Sequence, residues 1–262
     1  MDPSSQIEKA NVSAFDAAVK SHLELSPLHA PEVMIFLDYI EQIRDKRVLD
    51  AGCGTGRTSH FLKYLTTSYL GFDYSAKMVE TAKARYPNLD LRVLNAKNLD
   101  SLDDQSFDFI LFSYNGIDYV NQEDRLTILS ELHKKLSPNG LLAFSSHNLS
   151  HLKSKKIRPP RFGLSLNPCR AINKIKNWWI KSRNYRRIVN QQVWADEYAI
   201  VVDGGIDFSL LTYYSSAETQ IRQLQNAGFE VLRLYDTNGH VLEGTLENSH
   251  SPWIHYVARK RS

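Results

Sequence analysis

The sequence predicts an α/β protein, a mostly parallel sheet covered by helices on both faces. Three observations carry that prediction. Short apolar runs alternate with amphipathic stretches through the first 150 residues. A glycine-rich loop, "DAGCGTG" at 50–56, joins the first apolar run to a helix-like stretch. The second run, "SYLGFD", ends on the acidic residue Asp73. Strands alternating with helices imply parallel pairing, and ligands of such sheets bind at the carboxyl ends of the strands.

The elements follow in order. "IEKANVSAFDAAVKSHLEL" and "APEVMIFLDYIEQIR" have helical periodicity, the second with Pro31 in its first turn and Val33, Ile35, Phe36, Leu37, Ile40 and Ile43 as apolar positions. "RVLDAG" reads as a buried strand and "RTSHFLKYL" as a helix. "SYLGFD" is the second strand, "SAKMVETAKARY" a helix with Ser75 as its N-cap, and "DLRVLNA" the third strand. "FDFILFSY", "QEDRLTILSELHKKL", "SPNG" and "LLAFSSHN" give a strand, a helix, a turn and a strand. Further on, "GIDFSLLTYYSS" reads as a strand, "AETQIRQLQNAG" as a helix closed by Gly228, and "FEVLRLYD" and "WIHYVARK" as strands.

Composition bounds the class. A chain of 262 residues, 42% hydrophobic and 23% charged, is ordinary globular material. No apolar stretch approaches the roughly 20 residues needed to cross a bilayer, and "MDPSSQIEK" lacks a signal peptide's apolar core. The expectation is a soluble, cytoplasmic protein. Cys53 and Cys169 do not make a disulfide framework and fit a reducing compartment. The net charge of +3 hides an asymmetry: twelve Lys and Arg and no acid lie between His151 and Ala195, which leaves 20 basic against 29 acidic residues elsewhere.

The glycine loop narrows the ligand. Gly52, Gly54 and Gly56 are spaced G-x-G-x-G, whereas the dinucleotide fingerprint is G-x-G-x-x-G, and the G-K-[ST] of a phosphate loop is missing. Asp73, at the end of the next strand, stands where a carboxylate accepts the hydroxyls of a nucleoside's ribose. Together "VLDAGCGTG" and "GFDYS" closely resemble the first two motifs of the class I S-adenosylmethionine-dependent methyltransferases. "NAKNL", "SFDFILFSYNGIDYV", "LHKKLSPNGLLAFSSHN" and "AETQIRQLQNAGFEVLRLY" continue the likeness in order. It spans about residues 15 to 150 and 210 to 259, and leaves the basic segment uncovered.

The resemblance implies a Rossmann-like, seven-stranded, mostly parallel sheet with an antiparallel last strand, to which this chain adds a basic lid insert. It divides the chain into N-terminal helices over the cofactor site (1–45), a cofactor-binding core (46–150), the insert (151–205) and the C-terminal part of the core sheet (206–262). It implies S-adenosyl-L-methionine as cofactor and no metal. Asp50, Ala51, Gly52, Cys53, Gly54 and Gly56 would form the loop beside the methionine moiety, and Asp73 would take the ribose hydroxyls. Tyr74 and Met78 would line the adenine, Asn95 and Ala96 would meet its edge, and Ser113 would face the cofactor from the fourth strand. The family commonly has Asp where Asn95 stands, so weaker or differently shared adenine recognition is expected. Met78 also fits plain core packing.

A sulfonium methyl is already activated, so alignment of the acceptor is the main requirement and a base matters chiefly for a hydroxyl acceptor. His147, at the end of the fifth strand, is the candidate base or acceptor-orienting group, with Tyr114 as the second catalytic candidate. A hydrogen-bonded structural role fits His147 as well. Asn115, Asp118, Tyr119, Asn148 and Tyr214, with Tyr213 beside it, are the acceptor-binding candidates from neighbouring loops.

In the basic segment, Ile172, Ile175, Trp178, Trp179, Tyr185, Ile188 and Val189 recur near helical spacing among cations. Three functional readings compete: a lid that receives an anionic small molecule, an interfacial helix over 170–194 for a lipid-linked acceptor, and an RNA contact, placed last because no RNA-binding motif appears. A solvated basic helix with its aromatic side on the domain is the fourth, structural, alternative. The favoured function is methyl transfer to an oxygen or nitrogen of a small, anionic or sugar-like metabolite. A lipid-linked acceptor at the inner face of a membrane, or a cofactor-binding partner module without catalysis, are the alternatives. Acceptor identity and oligomeric state stay open at this stage.

Overall fold

Both faces of the parallel strands are buried, as their unbroken apolar runs require. β1 (Val48–Ala51), β2 (Tyr69–Asp73) and β4 (Phe107–Phe112) are almost wholly inaccessible, and β3 (Asp90–Val93) forms the exposed edge. The structure, a computed structural model, describes residues 3–19, 26–155, 157–163, 167–243 and 251–261. The end of the first predicted helix, residues 20–25, and the Cys169 side chain lie outside them.

Alternation along the strands sorts the core into two layers. Leu49, Phe72, Ile110 and Phe144 point to one face, where Ile128, Leu129 and Leu132 of α5 (Gln122–Lys135) and Leu224 of α9 (Ala217–Asn226) cover them. Val48, Phe109, Leu111 and Ala143 point to the other, under Ile35 and Phe36 of α2 (Ala30–Asp38), Leu62 of α3 (Ser59–Leu62), and Val79 and Ala82 of α4 (Ala76–Arg85). α1 (Pro3–Ala18) lies over the carboxyl ends of the strands, against α4.

The sheet runs β3-β2-β1-β4-β5 in parallel, with β5 spanning Leu136–Asn148. β10 (Trp253–Lys260) pairs antiparallel with β5, and β9 (Phe229–Tyr235) pairs antiparallel with β10. These seven strands make the expected sheet. Ser137, Pro138, Asn139 and Gly140, predicted as a turn, instead bulge out within β5: Phe107 pairs with Leu136 but Phe109 with Leu141, and Asn139 takes φ 62° to absorb the excess.

β5 outruns β4. Past Phe144 the edge vacated by β4 is taken by β8 (Thr212–Ser215), through His147–Tyr214 and Asn148–Ser215. β7 (Tyr198–Val201) and β6 (Val193–Trp194) extend it as an antiparallel flap that the sequence pattern did not announce. Before the flap come α6 (Leu149–Ser154) and the long α7 (Pro168–Ile188).

Three elements are shorter than their sequence pattern. After the glycine loop only Ser59–Leu62 is helical, and α2 gives way at Tyr39 to a 3₁₀ turn over Ile40–Gln42. The stretch predicted as a strand from Gly205 is extended only at Thr212–Ser215. Its start is a single turn, α8 (Gly205–Phe208), with Ile206, Asp207 and Phe208 all left-handed at φ 40°, 54° and 62°.

Candidate functional site

A cavity of about 560 Å³ opens at the carboxyl ends of β1, β2 and β4. Its floor is the loop after β1. Gly52 turns at φ 63° under the Phe112 ring, which would stand 2.7 Å from an added Cβ. Gly54, at φ 55°, has open space where a Cβ would be, so the backbone there is free to meet a ligand. Gly56, at φ 89°, packs against Tyr86 instead and does not line the cavity.

Asp50 does not face the cavity either. Its buried carboxylate accepts hydrogen bonds from Thr58 Oγ1 (2.8 Å), Ser59 Oγ (3.1 Å) and the Tyr69 hydroxyl (2.8 Å), and burial raises its pKa to about 6. It holds the loop to α3 from beneath. Ala51 is buried in β1 and likewise makes no wall. These three placements correct the expected loop contacts: strand pairing and loop anchoring claim Ala51, Asp50 and Gly56. Cys53 does line the cavity, buried, with its thiol pKa raised by burial.

Asp73 stands at the cavity floor. Oδ2 accepts from Gly54 N (3.0 Å) and Oδ1 from Ser75 N (2.9 Å), and burial lifts its pKa to about 6 against those donors. Ser75 caps α4 through Met78 N (3.2 Å), so Asp73 is not needed as a cap. Tyr74, Met78, Asn95 and Ala96 form the adjoining wall. The Tyr74 hydroxyl is buried with no hydrogen-bond partner among the described residues, and the ring meets Phe15 of α1 edge-on.

Asn95 is already engaged. Its Oδ1 accepts from Lys97 N (3.0 Å) and its Nδ2 donates to Glu8 Oε1 (2.5 Å), while Lys97 Nζ reaches Glu8 Oε2 (2.5 Å) and Asp124 (3.1 Å). Glu8 lines the cavity, so α1 brings a carboxylate to the place where Asn95 lacks one. No local signal could reveal Glu8, because 87 residues separate it from Asn95.

The opposite wall holds a second missed group. Arg57 lies between Glu32 (2.5 and 2.7 Å), the Ser113 hydroxyl (3.0 Å) and the Tyr114 ring. Ser113 also donates to Glu32. Burial works against the Glu32 carboxylate, but Arg57 and Ser113 together bring its pKa down to about 2. Arg57 directly follows the glycine loop, and that position was the available signal. Tyr114 is half exposed, lines the cavity and takes φ 55°.

The acceptor-side candidates divide. Tyr119 lines the cavity and packs on Phe15 (4.9 Å between rings). His147 stands behind it, with the rings 6.5 Å apart. His147 Nδ1 lies 2.7 Å from Asp118 Oδ2, whose other oxygen takes Arg125 (2.5 Å) and Ser146 (2.9 Å). A carboxylate that accepts throughout makes Nδ1 the donor, so Nε2 carries the lone pair, 3.3 Å from Asn115 Nδ2. Asp118 is thus wholly buried and orients His147; Asn121, not Asp118, caps α5.

The other three acceptor candidates do not reach the cavity. Asn148 caps α6 and donates to Ser251 O (3.0 Å), because the strand ends there and the helix needs a cap. Tyr214 is buried, its hydroxyl on Asp203 (2.8 Å) and its ring 4.9 Å from His147. Asn115 is buried, with its backbone N–H on Ser145. Tyr213 is core, stacked on Tyr198 and Arg125.

A glycine loop and a strand-end aspartate at one cavity form the arrangement expected of a nucleoside-binding α/β protein. Residues 48–140 match the model of the methyltransferase-domain family. The chain is 30% identical over 144 residues to a malonyl-[acyl-carrier protein] O-methyltransferase of Hamiltonella defensa, covering 55% of this chain and 54% of that protein. It is 25% identical over 252 residues to the protein of that name from Buchnera aphidicola, covering 90% and 95%. The chain spans about half the length of several curated relatives it matches, the Hamiltonella protein among them. The fold is shared with a Burkholderia thailandensis 1,6-didemethyltoxoflavin-N1-methyltransferase solved with S-adenosylhomocysteine: TM-score 0.63, 12% identity, 100% of this chain and 92% of that one. Residues 48–140 thus resemble a methyltransferase domain, and the chain has the fold of the class I S-adenosylmethionine-dependent methyltransferases. S-Adenosylmethionine is the cofactor of that class, and the open backbone at Gly54, the Asp73 carboxylate and the unpartnered Tyr74 hydroxyl fit it.

Proposed function

We propose that the protein moves a methyl group from S-adenosylmethionine to an oxygen or nitrogen of a small, anionic or sugar-like acceptor. The observation that carries this reading is the Gly54 to Asp73 hydrogen bond at the cavity floor, which sets an acceptor carboxylate beside exposed loop backbone. Asp73 receives the ribose hydroxyls, Tyr74 and Met78 flank the adenine, and Glu8, held by Asn95 and Lys97, receives its amino group. In this reading α1 covers the cofactor through Glu8 and Phe15, and the insert meets the acceptor side at Gly205.

When bound, the cofactor supplies an electrophilic methyl on a positively charged sulfur. The chain's task is alignment, exclusion of water and removal of a proton. Tyr114 and Tyr119 wall the acceptor space. His147, which is oriented by Asp118 and stands behind Tyr119 just outside the cavity lining, would take the proton of an acceptor hydroxyl at Nε2, while the bound cofactor would supply the methyl group. An amine acceptor needs His147 only for orientation.

Calorimetric titration with S-adenosylmethionine and with NAD, followed by an acceptor screen with methyl-labelled cofactor, tests this. Binding of the sulfonium and label transfer to a small molecule are expected. Binding of NAD alone would overturn the reading.

A further inference from the structure

α7 departs from every other helix in the fold. Across Pro168–Ile188 it carries seven cations, Arg170, Lys174, Lys176, Lys181, Arg183, Arg186 and Arg187, and no acid. Among the described residues its second half packs on the domain through Ser182, Tyr185 and Ile188, and Trp178 meets Phe162 edge-on. In the first half large apolar side chains face solvent: Ile172 is 66% exposed, Ile175 48% and Trp179 58%. Their spacing of three and seven residues puts them in one stripe, flanked by Lys176 and continued by Arg183 and Arg186.

A water-facing helix ordinarily shows charges there and keeps isoleucine and tryptophan inside. Here the apolar stripe and the cations share the outer side, the arrangement of a helix that lies in a lipid interface with its cations against headgroup phosphates. Long Lys and Arg stems let the apolar stripe sink while the charges stay at headgroup level. No helix among the described residues is long and apolar enough to cross a membrane, so the contact is made along the surface.

We propose that α7 docks the protein on an anionic lipid surface through Ile172, Ile175 and Trp179, with Lys176, Arg183 and Arg186 on the headgroups. Charge complementarity selects the lipid. Isoleucines in the stripe favour acyl chains over RNA, whose bases stack on aromatic planes. The docked helix reaches the cavity through one turn. Asn184 Nδ2 donates to Asp207 O (3.1 Å), Lys181 pairs with Asp207 (3.5 Å) and Tyr185 meets Phe208 edge-on, while Gly205 and Ile206 of that turn line the cavity. The proposal stands apart from methyl transfer and holds whatever the acceptor is.

The test floats the full chain with vesicles of phosphatidylcholine containing phosphatidylglycerol, and with phosphatidylcholine alone. Flotation with the anionic vesicles only, lost at high salt, is expected, together with a blue shift of tryptophan emission. Ile175→Ala with Trp179→Ala should lower vesicle partitioning by at least about tenfold, since each buried apolar side chain contributes a separate factor. Arg183→Ala with Arg186→Ala should do the same, at roughly fivefold per cation. S-adenosylmethionine binding by calorimetry, unchanged in both double variants, shows that they fold. Absence of flotation with anionic vesicles at low salt overturns the proposal. So does flotation indifferent to both double variants, or binding of polyuridylate that outcompetes the vesicles.

Discussion

Glu8 of the N-terminal helix accepts a 2.5 Å hydrogen bond from the side-chain amide of Asn95, and so places a carboxylate at a cavity wall whose own loop has none. Glu8→Gln is expected to weaken S-adenosylmethionine binding by about 1 to 3 kcal/mol, the effect of removing a charged acceptor. Asn95→Asp alone should also weaken it, because two carboxylates would then face each other, and should increase proteolysis of the N-terminal helix. Glu8→Gln combined with Asn95→Asp should recover most of the affinity. Calorimetry on the three variants checks this, and additive losses in the double variant would refute it.

The Asp118–His147 pair predicts a split between binding and turnover. His147→Asn should leave cofactor affinity within about twofold yet lower the transfer rate to a hydroxyl acceptor by about 10²-fold or more, the usual scale of general-base loss. Asp118→Asn is a different experiment. It leaves Arg125 buried without its anion, and should destabilise the fold by about 3 to 5 kcal/mol in denaturant titration.

Asp73 makes cofactor affinity depend on pH. Its pKa of about 6 lies above the usual 3.8, so in the free protein the carboxylate is protonated as pH falls below 6 and loses acceptor capacity. Ribose hydroxyls favour the charged form, so the dissociation constant should rise by up to about tenfold per pH unit between pH 6 and 4.5. Asp73→Asn should bind weakly at every pH. A flat profile in the unaltered protein would contradict the assignment.

Glu32 makes stability depend on pH through a pKa shifted the other way. Its folded pKa of about 2 is below the usual 4.5, so the unfolded chain binds the proton more readily. The stabilisation is complete above 4.5 and is lost as pH falls toward 2. It amounts to about 3 kcal/mol. Glu32→Gln should remove most of that pH dependence in chemical unfolding between pH 5 and 2.5, and should release Arg57.

The parallel half was legible because its signals are local. An apolar run names a strand, a glycine triplet names the turn after it, and Ser75 names a helix start by its own capping. Asp73 could be placed for the same reason. What the sequence concealed depends on contacts across the chain. Glu8 reaches the cavity, and Glu32 the Arg57 that lines it, from helices whose docking is set by tertiary packing, 87 and 25 residues away from Asn95 and Arg57. Val193–Trp194 is two residues long and exposed, too brief to show a strand period. Asn148 and Tyr214 had the right address, a strand end, but cap and core hydrogen bonds turned them elsewhere.

The fork at the end of β5 separates two parts of the molecule. The described residues between Leu149 and Ser215 join the sheet at β5 through two residue pairs, His147–Tyr214 and Asn148–Ser215, at the tip of a strand that β4 and β10 already hold in place. That appendage meets the cavity at Gly205, Ile206 and Leu210, whereas the glycine floor belongs to β1. A substitution in its outer helix therefore leaves the floor's own backbone pairing untouched.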